Sequence, residues 1–530
     1  MKLLILLFIS SPGDSVGWTY IDFQSSANTR QMVWFDGASG AHVDFWRAHE
    51  PYPYPDRKCA YNFKEAGGPW YGAEPVSSER SGYAALGVKS SGAGVCAYHQ
   101  QVSGENYSCW IAVDEGPGQY NFTEHKCCPQ NVTKDWIWPS FAIDDKDYFH
   151  CLGHIFQTED NIYYSRSTDD GYTWTDLMLV NTNNQAPGLD YDVFADRWQS
   201  PGYVMMVWLE PIPGSDIGSN VWINISTDYG ETWQGRQNIT NFTTSDTIVA
   251  DNDCRPIFDK NGDPHVVFTV VDTALLNNRS WIMHWSPSTG LRFVTKPWEL
   301  PGLAQNPPCH RPTLAIDRDN HYLYCIFVGY SDADTAQSGY YNGDIYGIAS
   351  TDGGFTWLSN VGDSAVNITR SKSPGAPPGQ YHDDEFPSAH PYIEMIGGRR
   401  TLIISYLEDK DPGIYGDTKN PFRVYFYPVD SILRVGETTE ILPPAGLVNI
   451  FPNPSRGVIN IEYTLSRRSR VKISLFDITG RMVDNLLNRI LDAGNHRLIF
   501  RLNLPSGLYF IQMETVNYRK VVSLIFCDKP

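Results

Sequence analysis

Short runs of apolar residues, each bounded by Gly, Pro, Asn or Asp, succeed one another along the chain, a pattern that predicts β-strands in place of long helices. One arrangement recurs: an apolar run, an Asp turn and a second apolar run. It reads MVWFDGASGAHVDFW from Met32, FAIDDKDYFHCLGHIF from Phe141, PIFDKNGDPHVVFTVV from Pro256 and TLAIDRDNHYLYCIFV from Thr313. Downstream lies a third β-rich stretch, such as NIYYSR or NVWINI, and then an octapeptide.

That octapeptide is STDDGYTW at Ser167 to Trp174, STDYGETW at Ser226 to Trp233 and STDGGFTW at Ser350 to Trp357. The starts lie 59 and then 124 residues apart, so a worn copy is expected between the last two, and SPSTGLRF at Ser286 to Phe293 fills the gap. Extending the period finds FKEAGGPW at Phe63 to Trp70, AVDEGPGQ at Ala112 to Gln119 and EDKDPGIY at Glu408 to Tyr415. Four short strands per unit of about 60 residues predict an all-β β-propeller, in which radial closure removes most exposed strand edges. Seven blades are favoured, and six follow if the region before Val76 is an appendage. The last repeat has only three strands, PYIEMI, RTLIISYLE and PFRVYFYPV, and a strand from Trp18 to Phe23 is expected to supply the fourth.

The octapeptide resembles the Asp box of sialidases and other Asp-box (BNR repeat) propellers, and the repeat spans residues 18–430. The resemblance implies that the boxes sit on the blade periphery, away from the ligand-binding face. Ser167, Asp169, Gly171, Trp174, Ser226, Asp228, Gly230, Trp233, Ser350, Asp352, Gly354 and Trp357 are therefore expected to be structural. The Asp would accept turn hydrogen bonds, the Gly would take positive φ and the Trp would pack between blades.

After the propeller (18–432) and a polar, Pro-containing linker (433–446), INIEYTLS, RVKISLFDI, HRLIFRL, LYFIQME and KVVSLIF predict an Ig-like β-sandwich over 447–530. The succession FPNP at Phe451, LFDITGR at Leu475, DAGNH at Asp492 and LPSGLYF at Leu504 resembles the type A sorting domain of type IX secretion. It implies export by a Gram-negative bacterium of the Bacteroidetes type, with the secretion machinery as a partner.

Composition sharpens this picture. The formal charge of −19 disfavours a nucleic-acid partner, yet residues from Gly446 onward carry 12 Lys/Arg against 6 Asp/Glu, which marks the same domain boundary. Residues 1–15, with the apolar run Leu3 to Ile9, read as a short secretory signal; no stretch reads as a transmembrane segment. The ten Cys show no C-x-x-C spacing and no metal cluster; in strand contexts such as GVCAYH they read as buried apolar residues, with one or two disulfides open to an exported chain.

Candidate chemistry is expected where inner strands enter the channel mouth. Aligning the repeats places Arg80, Arg255 and Arg311 in register, beside Asp251, Asp383 and Tyr381. Sialidases, by resemblance, hold a sugar carboxylate with three arginines and use a Tyr–Glu pair and an Asp, so these six are the catalytic candidates. The family's F-R-I-P motif is absent, CRPI at Cys254 being a partial echo. Trp136, Tyr191, His310 and Glu385 are the ligand-binding candidates. Asp251, Asp253, Asp383 and Asp384 form a carboxylate set suited to Ca²⁺. The leading reading is an exported or cell-surface module binding extracellular glycan or glycoprotein. A sialidase-type exo-glycosidase and a structural surface component are the alternatives, and the sequence leaves open whether the chain is an enzyme.

Overall fold

The computed structural model describes residues 10–527 except 26–27, 130–134, 156–160, 182–189, 277, 302–305, 414–417, 434–445, 466–468, 492–493 and 516–517. The chain divides into two compact units, Met1–Arg434 and Val435–Pro530.

The first unit is a propeller. Its strands fall into seven consecutive groups, here blades I to VII, whose first strands are Val33–Asp36, Ser81–Val88, Trp136–Ile143, Tyr191–Ala195, Ile248–Phe258, Cys309–Ile316 and Asp383–Ala389. Each first strand packs against the next blade's, and Val33–Asp36 packs against Asp383–Ala389, which closes the ring. Apolar clusters such as Val43, Phe45, Ile403 and Phe422 fill the gaps between neighbouring blades.

Blade VII draws on both ends of the unit. Asp14–Thr19 pairs antiparallel with Asn420–Pro428 as its outermost strand. The closing strand thus lies a few residues before the expected Trp18 to Phe23. Ser11 donates to Asp384 at 2.7 Å and the Tyr406 hydroxyl to the Pro12 carbonyl, so residues 11–15, expected in the leader, belong to the ring. Residues 1–9 lie outside the described residues.

The same topology corrects the seventh octapeptide. Glu408 and Asp409 end the second strand of blade VII, not the third. Because the third and fourth strands come from opposite chain ends, no turn joins them and no box can form there.

The three intact boxes share one hydrogen-bond pattern. Ser167, Ser226 and Ser350 donate to Asp169, Asp228 and Asp352 at 2.9, 2.7 and 2.8 Å, and each Asp accepts the backbone N–H and hydroxyl of the Thr four residues on. Their glycines have φ of 87°, 74° and 93°, and a Cβ on Gly230 would fall 2.2 Å from the Tyr164 hydroxyl of blade III. Trp233 meets Tyr164 edge to face at 5.0 Å, and Trp357 meets His284 of blade V at 5.4 Å. Each of these two boxes therefore docks on the preceding blade. Asp228→Ala removes three accepted bonds, and we expect a loss of about 1–2 kcal/mol in a denaturant melt.

The second unit is a two-sheet sandwich. Gly446–Phe451, Val458–Leu465 and Gly494–Arg501 form one sheet; Met482–Leu491, Ser469–Asp477, Gly507–Thr515 and Tyr518–Phe526 form the other. Ile459, Ile461, Ile473, Leu475, Ile511 and Met513 fill the space between them. The motifs make its turns: Asp477 of LFDITGR accepts from Thr479 and Arg481, and the Tyr509 hydroxyl of LPSGLYF donates to the Pro505 carbonyl at 3.0 Å.

Candidate functional site

The inner strands of blades II, III, V, VI and VII each carry a β-bulge at the same mouth of the ring, where the pairing register slips next to Tyr83, Trp138, Asp253, Arg311 and Phe386. These five residues all lie in the left-handed region, with φ of 61°, 56°, 58°, 54° and 57°. The turn ending the inner strand of blades II, III, V and VI begins six residues later, at Lys89, Asp144, Asp259 and Asp317. The same offset from Asp36 and Asp196 identifies Arg30 and Asp190 as the equivalents in blades I and IV. A ring of seven positions thus carries Arg30, Tyr83, Trp138, Asp190, Asp253, Arg311 and Phe386.

This register corrects the alignment of the three arginines. Arg311 stands at the bulge, Arg255 stands two residues beyond its bulge residue Asp253, and Arg80 precedes its strand. Their partners differ accordingly. Exposed Arg80 donates to the Tyr54 and Pro53 carbonyls at 3.4 and 3.3 Å. Buried Arg255 pairs with Asp192 at 2.6 Å and donates to Gln31 at 2.9 Å. Arg311 lies 3.3 Å from Glu385, over the Phe386 ring at 3.9 Å. These partners differ for each arginine among the described residues, so the three do not form a common carboxylate clamp there.

Residues 28–32 enter the channel and pack against Arg255, which donates to the Thr29 carbonyl and to Gln31. Asn28 exchanges hydrogen bonds with the Cys254 backbone at 2.7 and 3.0 Å, Gln31 donates to the Ala389 carbonyl at 2.9 Å, and Arg30 lies over the Tyr191 ring at 4.4 Å. One short segment therefore ties blades IV, V and VII together. The polar run NTRQ immediately before the first apolar strand was the only sequence signal for it.

Around the mouth, one half is aromatic. Tyr83 lies 5.2 Å from His99 and 6.1 Å from Trp138, and Trp138 stacks on His154 at 5.6 Å. Burial, with the charges of Arg57 and Arg80, drops His99 to about 3, so it is a neutral imidazole. The expected stacking residues do not face the mouth, and in blade III the bulge sets Trp138 there in place of Trp136. Trp136 is wholly buried, and so is Tyr191, whose hydroxyl donates to the Trp138 carbonyl.

The other half is acidic. The Tyr330 hydroxyl donates to Glu385 at 2.5 Å, and the His310 ring stacks on Tyr330 at 5.4 Å with its Nε2 3.6 Å from Glu385. Burial alone would raise Glu385, but His310 and Arg311 outweigh it and hold it below the usual range. Burial and the Glu385 and Asp409 charges push neighbouring Asp383 well up. Tyr330 is pushed well above the ordinary phenol range by burial and then by Glu385, so it serves as a hydrogen-bond donor and not as a phenolate nucleophile. Asp253 accepts the Arg311 N–H at 2.8 Å, and its own N–H donates to Asp190 at 3.0 Å. Burial and Asp253 raise Asp190 to about 7; burial, then Asp253, also raises Asp251.

Two candidates lie apart from this constellation. Tyr381 is buried, and its hydroxyl accepts the Gln337 N–H at 2.7 Å, which pins the blade VI hairpin. Asp384 accepts from Ser11 and Ser371 and is raised to about 8, chiefly by burial. Asp251, Asp253, Asp383 and Asp384 do not gather as a ligand set among the described residues.

These shifts set a pH dependence. Asp190 and Asp384 keep protons in the folded chain that the unfolded chain releases near its ordinary 3.8. Their stabilising contribution is full below that value and is lost as pH rises through about 7 and 8. Glu408 runs the other way: burial opposes, but His382, Lys410 and Arg423 bring it to about 2, so its contribution is lost as pH falls from 4.5 through 2. Thermal melts should peak at about pH 4, where the gain from Glu408 is outrun by the loss from Asp190 and Asp384, and Asp190→Asn should flatten the fall toward pH 8. Stability that rises from pH 6 to 9 would contradict this assignment.

Residues 449–526 match the family described as the secretion system C-terminal sorting domain. The C-terminal unit is a type IX sorting domain. It makes the chain a secreted or outer-surface protein of Gram-negative bacteria of the Bacteroidetes type. No curated protein matches the chain significantly. Among solved structures, an ulvan lyase of polysaccharide lyase family PL25, bound to -[GlcA(1-4)Rha3S]-, is 12% identical, with 79% of this chain and 95% of that chain covered and a TM-score of 0.48. The α-L-arabinanase of Penicillium chrysogenum, complexed with arabinobiose, is 10% identical over 67% of this chain and 95% of that chain, TM-score 0.42. A protein of unknown function from Dyadobacter fermentans is 14% identical over 78% of this chain and all of its own, TM-score 0.41. The propeller assignment rests on the strand order above. Among the described residues no helix is long and apolar enough to cross a membrane.

Proposed function

We propose that the protein is an exported glycan-binding propeller whose ligand lies across the bulged mouth. The observation that carries this reading is the set of left-handed residues Tyr83, Trp138, Asp253, Arg311 and Phe386. Ring closure does not require that conformation in every blade, since the equivalent Arg30 is not among the left-handed residues. Backbone strain repeated blade after blade at one mouth, on aromatic and charged side chains, fits recognition better than packing. Tyr83 and Trp138 offer faces for sugar rings, Arg57 and Arg80 flank them, and the carboxylates opposite accept hydroxyl donors.

A second reading draws on Glu385 and Asp383. An ionised carboxylate beside one pushed toward its protonated form is the arrangement acid–base glycan cleavage uses. The sialidase-type version is disfavoured, because Arg80, Arg255 and Arg311 have separate partners and Tyr330 is held as a phenol.

The test is to screen the full chain against acidic and neutral oligosaccharides and follow any bound glycan for chain cleavage. We expect binding without turnover, and no release of sialic acid from an aryl sialoside. Turnover abolished by Glu385→Gln would establish the second reading, and a chain that binds no glycan would remove both.

A further inference from the structure

We infer that Asp44, Cys59 and Cys96 form a binding site for a zinc-type divalent cation between blades I and II. Asp44 lies on Gly40–Arg47 and Cys59 on Lys58–Glu65, both in blade I, while Cys96 lies on Gly94–Gln100 of blade II. All three are fully buried, and their ligand atoms lie within 4.8 Å of one another. That spacing accommodates the edges of a tetrahedral site, roughly 3.5–3.8 Å when metal–sulfur and metal–oxygen bonds are near 2.3 and 2.0 Å.

The second observation is the state of Asp44. Its side chain is completely inaccessible, and among the described residues its carboxyl oxygens have no nitrogen or hydroxyl donor, only the Cys96 thiol. The surrounding apolar cluster holds Tyr61, Val76, Leu86, Tyr98 and Ala112. A buried carboxylate met only by a weak thiol donor is costly unless it is protonated or meets a cation. Two cysteine sulfurs beside it select the cation: Ca²⁺ and Mg²⁺ take oxygen, whereas zinc takes mixed thiolate and carboxylate sets. Two thiolates and one carboxylate exceed a divalent ion by one negative charge, and Arg47, which acts electrostatically on Cys59, offsets it.

Three protein ligands with one open position match catalytic zinc sites in number. Complete burial bars a substrate, so the ion serves as a clamp across the blade interface. The ligands are scattered at positions 44, 59 and 96, which is why spacing along the chain disclosed no metal cluster.

The full chain, purified without chelator, should hold about one zinc per molecule by elemental analysis. Replacing zinc with Co²⁺ should produce thiolate-to-metal charge-transfer absorption. Asp44→Asn and Cys96→Ser should each lower occupancy about tenfold or more, while Cys151→Ser, in the neighbouring interface, should leave it unchanged. The Co²⁺ titration of the unaltered chain decides the matter if a variant fails to fold. Zinc that stays substoichiometric after titration, or a Cys59–Cys96 disulfide found in most molecules by peptide mapping, would overturn the site.

Discussion

Arg255→Met is expected to destabilise the propeller by about 3–5 kcal/mol, the penalty for leaving a buried carboxylate without its partner. Arg255 and Asp192 are 8% and 5% exposed and 2.6 Å apart, and Asp192 otherwise has the Ser140 hydroxyl at 2.5 Å. Arg255 also holds Gln31, so its loss loosens the segment that joins blades IV, V and VII. Arg255→Lys should lose less, because it keeps the charge but cannot serve Asp192 and Gln31 through one planar fork. Denaturant melts measure both, and glycan binding by the folded fraction should be unchanged. Full stability in Arg255→Met would show that the channel segment is ornamental to the fold.

Removing residues 447–530 is expected to abolish appearance at the cell surface while leaving a folded propeller in the periplasm. The propeller is a compact unit with its own interblade cores, and its outermost strand comes from its own N-terminal end. The sandwich likewise has a separate core and supplies no strand to the ring. Fractionation and protease shaving of the native host report the outcome. Undiminished surface protein would contradict a sorting role.

What could be read from the sequence was whatever is local in chain order. An Asp box closes its hydrogen bonds within eight residues, so three copies announced the repeat and hence the propeller. The sorting motifs are likewise contiguous turns. The mouth was misread because a β-bulge is a property of pairing and leaves no mark in either strand alone. Setting Arg255 in register with Arg311 moved blade V by two residues, bringing Arg255 to the place that Asp253 holds, and reading Trp136 for Trp138 was a shift of the same size. The Tyr330–Glu385 pair joins strands from different blades, 55 residues apart, and no spacing rule could link them. The seventh box failed for a topological reason, since its turn would have to connect opposite ends of the unit. The turn that follows the bulges of blades II, III, V and VI at a fixed offset, opened by Asp in three of them, was the signal that could have set the register.

The central claim is that the bulged mouth binds the ligand while the boxes hold blades together, and two tryptophan variants test it together. Trp138→Ala should weaken glycan binding by about thirtyfold, near 2 kcal/mol, with little change in melting temperature. Trp233→Ala, which removes the contact with Tyr164 on the box side, should lower the melting temperature and leave affinity intact. Binding measured by calorimetry alongside thermal melts of both variants gives the answer. The reverse pattern, with affinity lost at Trp233 and retained at Trp138, would place the ligand on the wrong face for this account and contradict it.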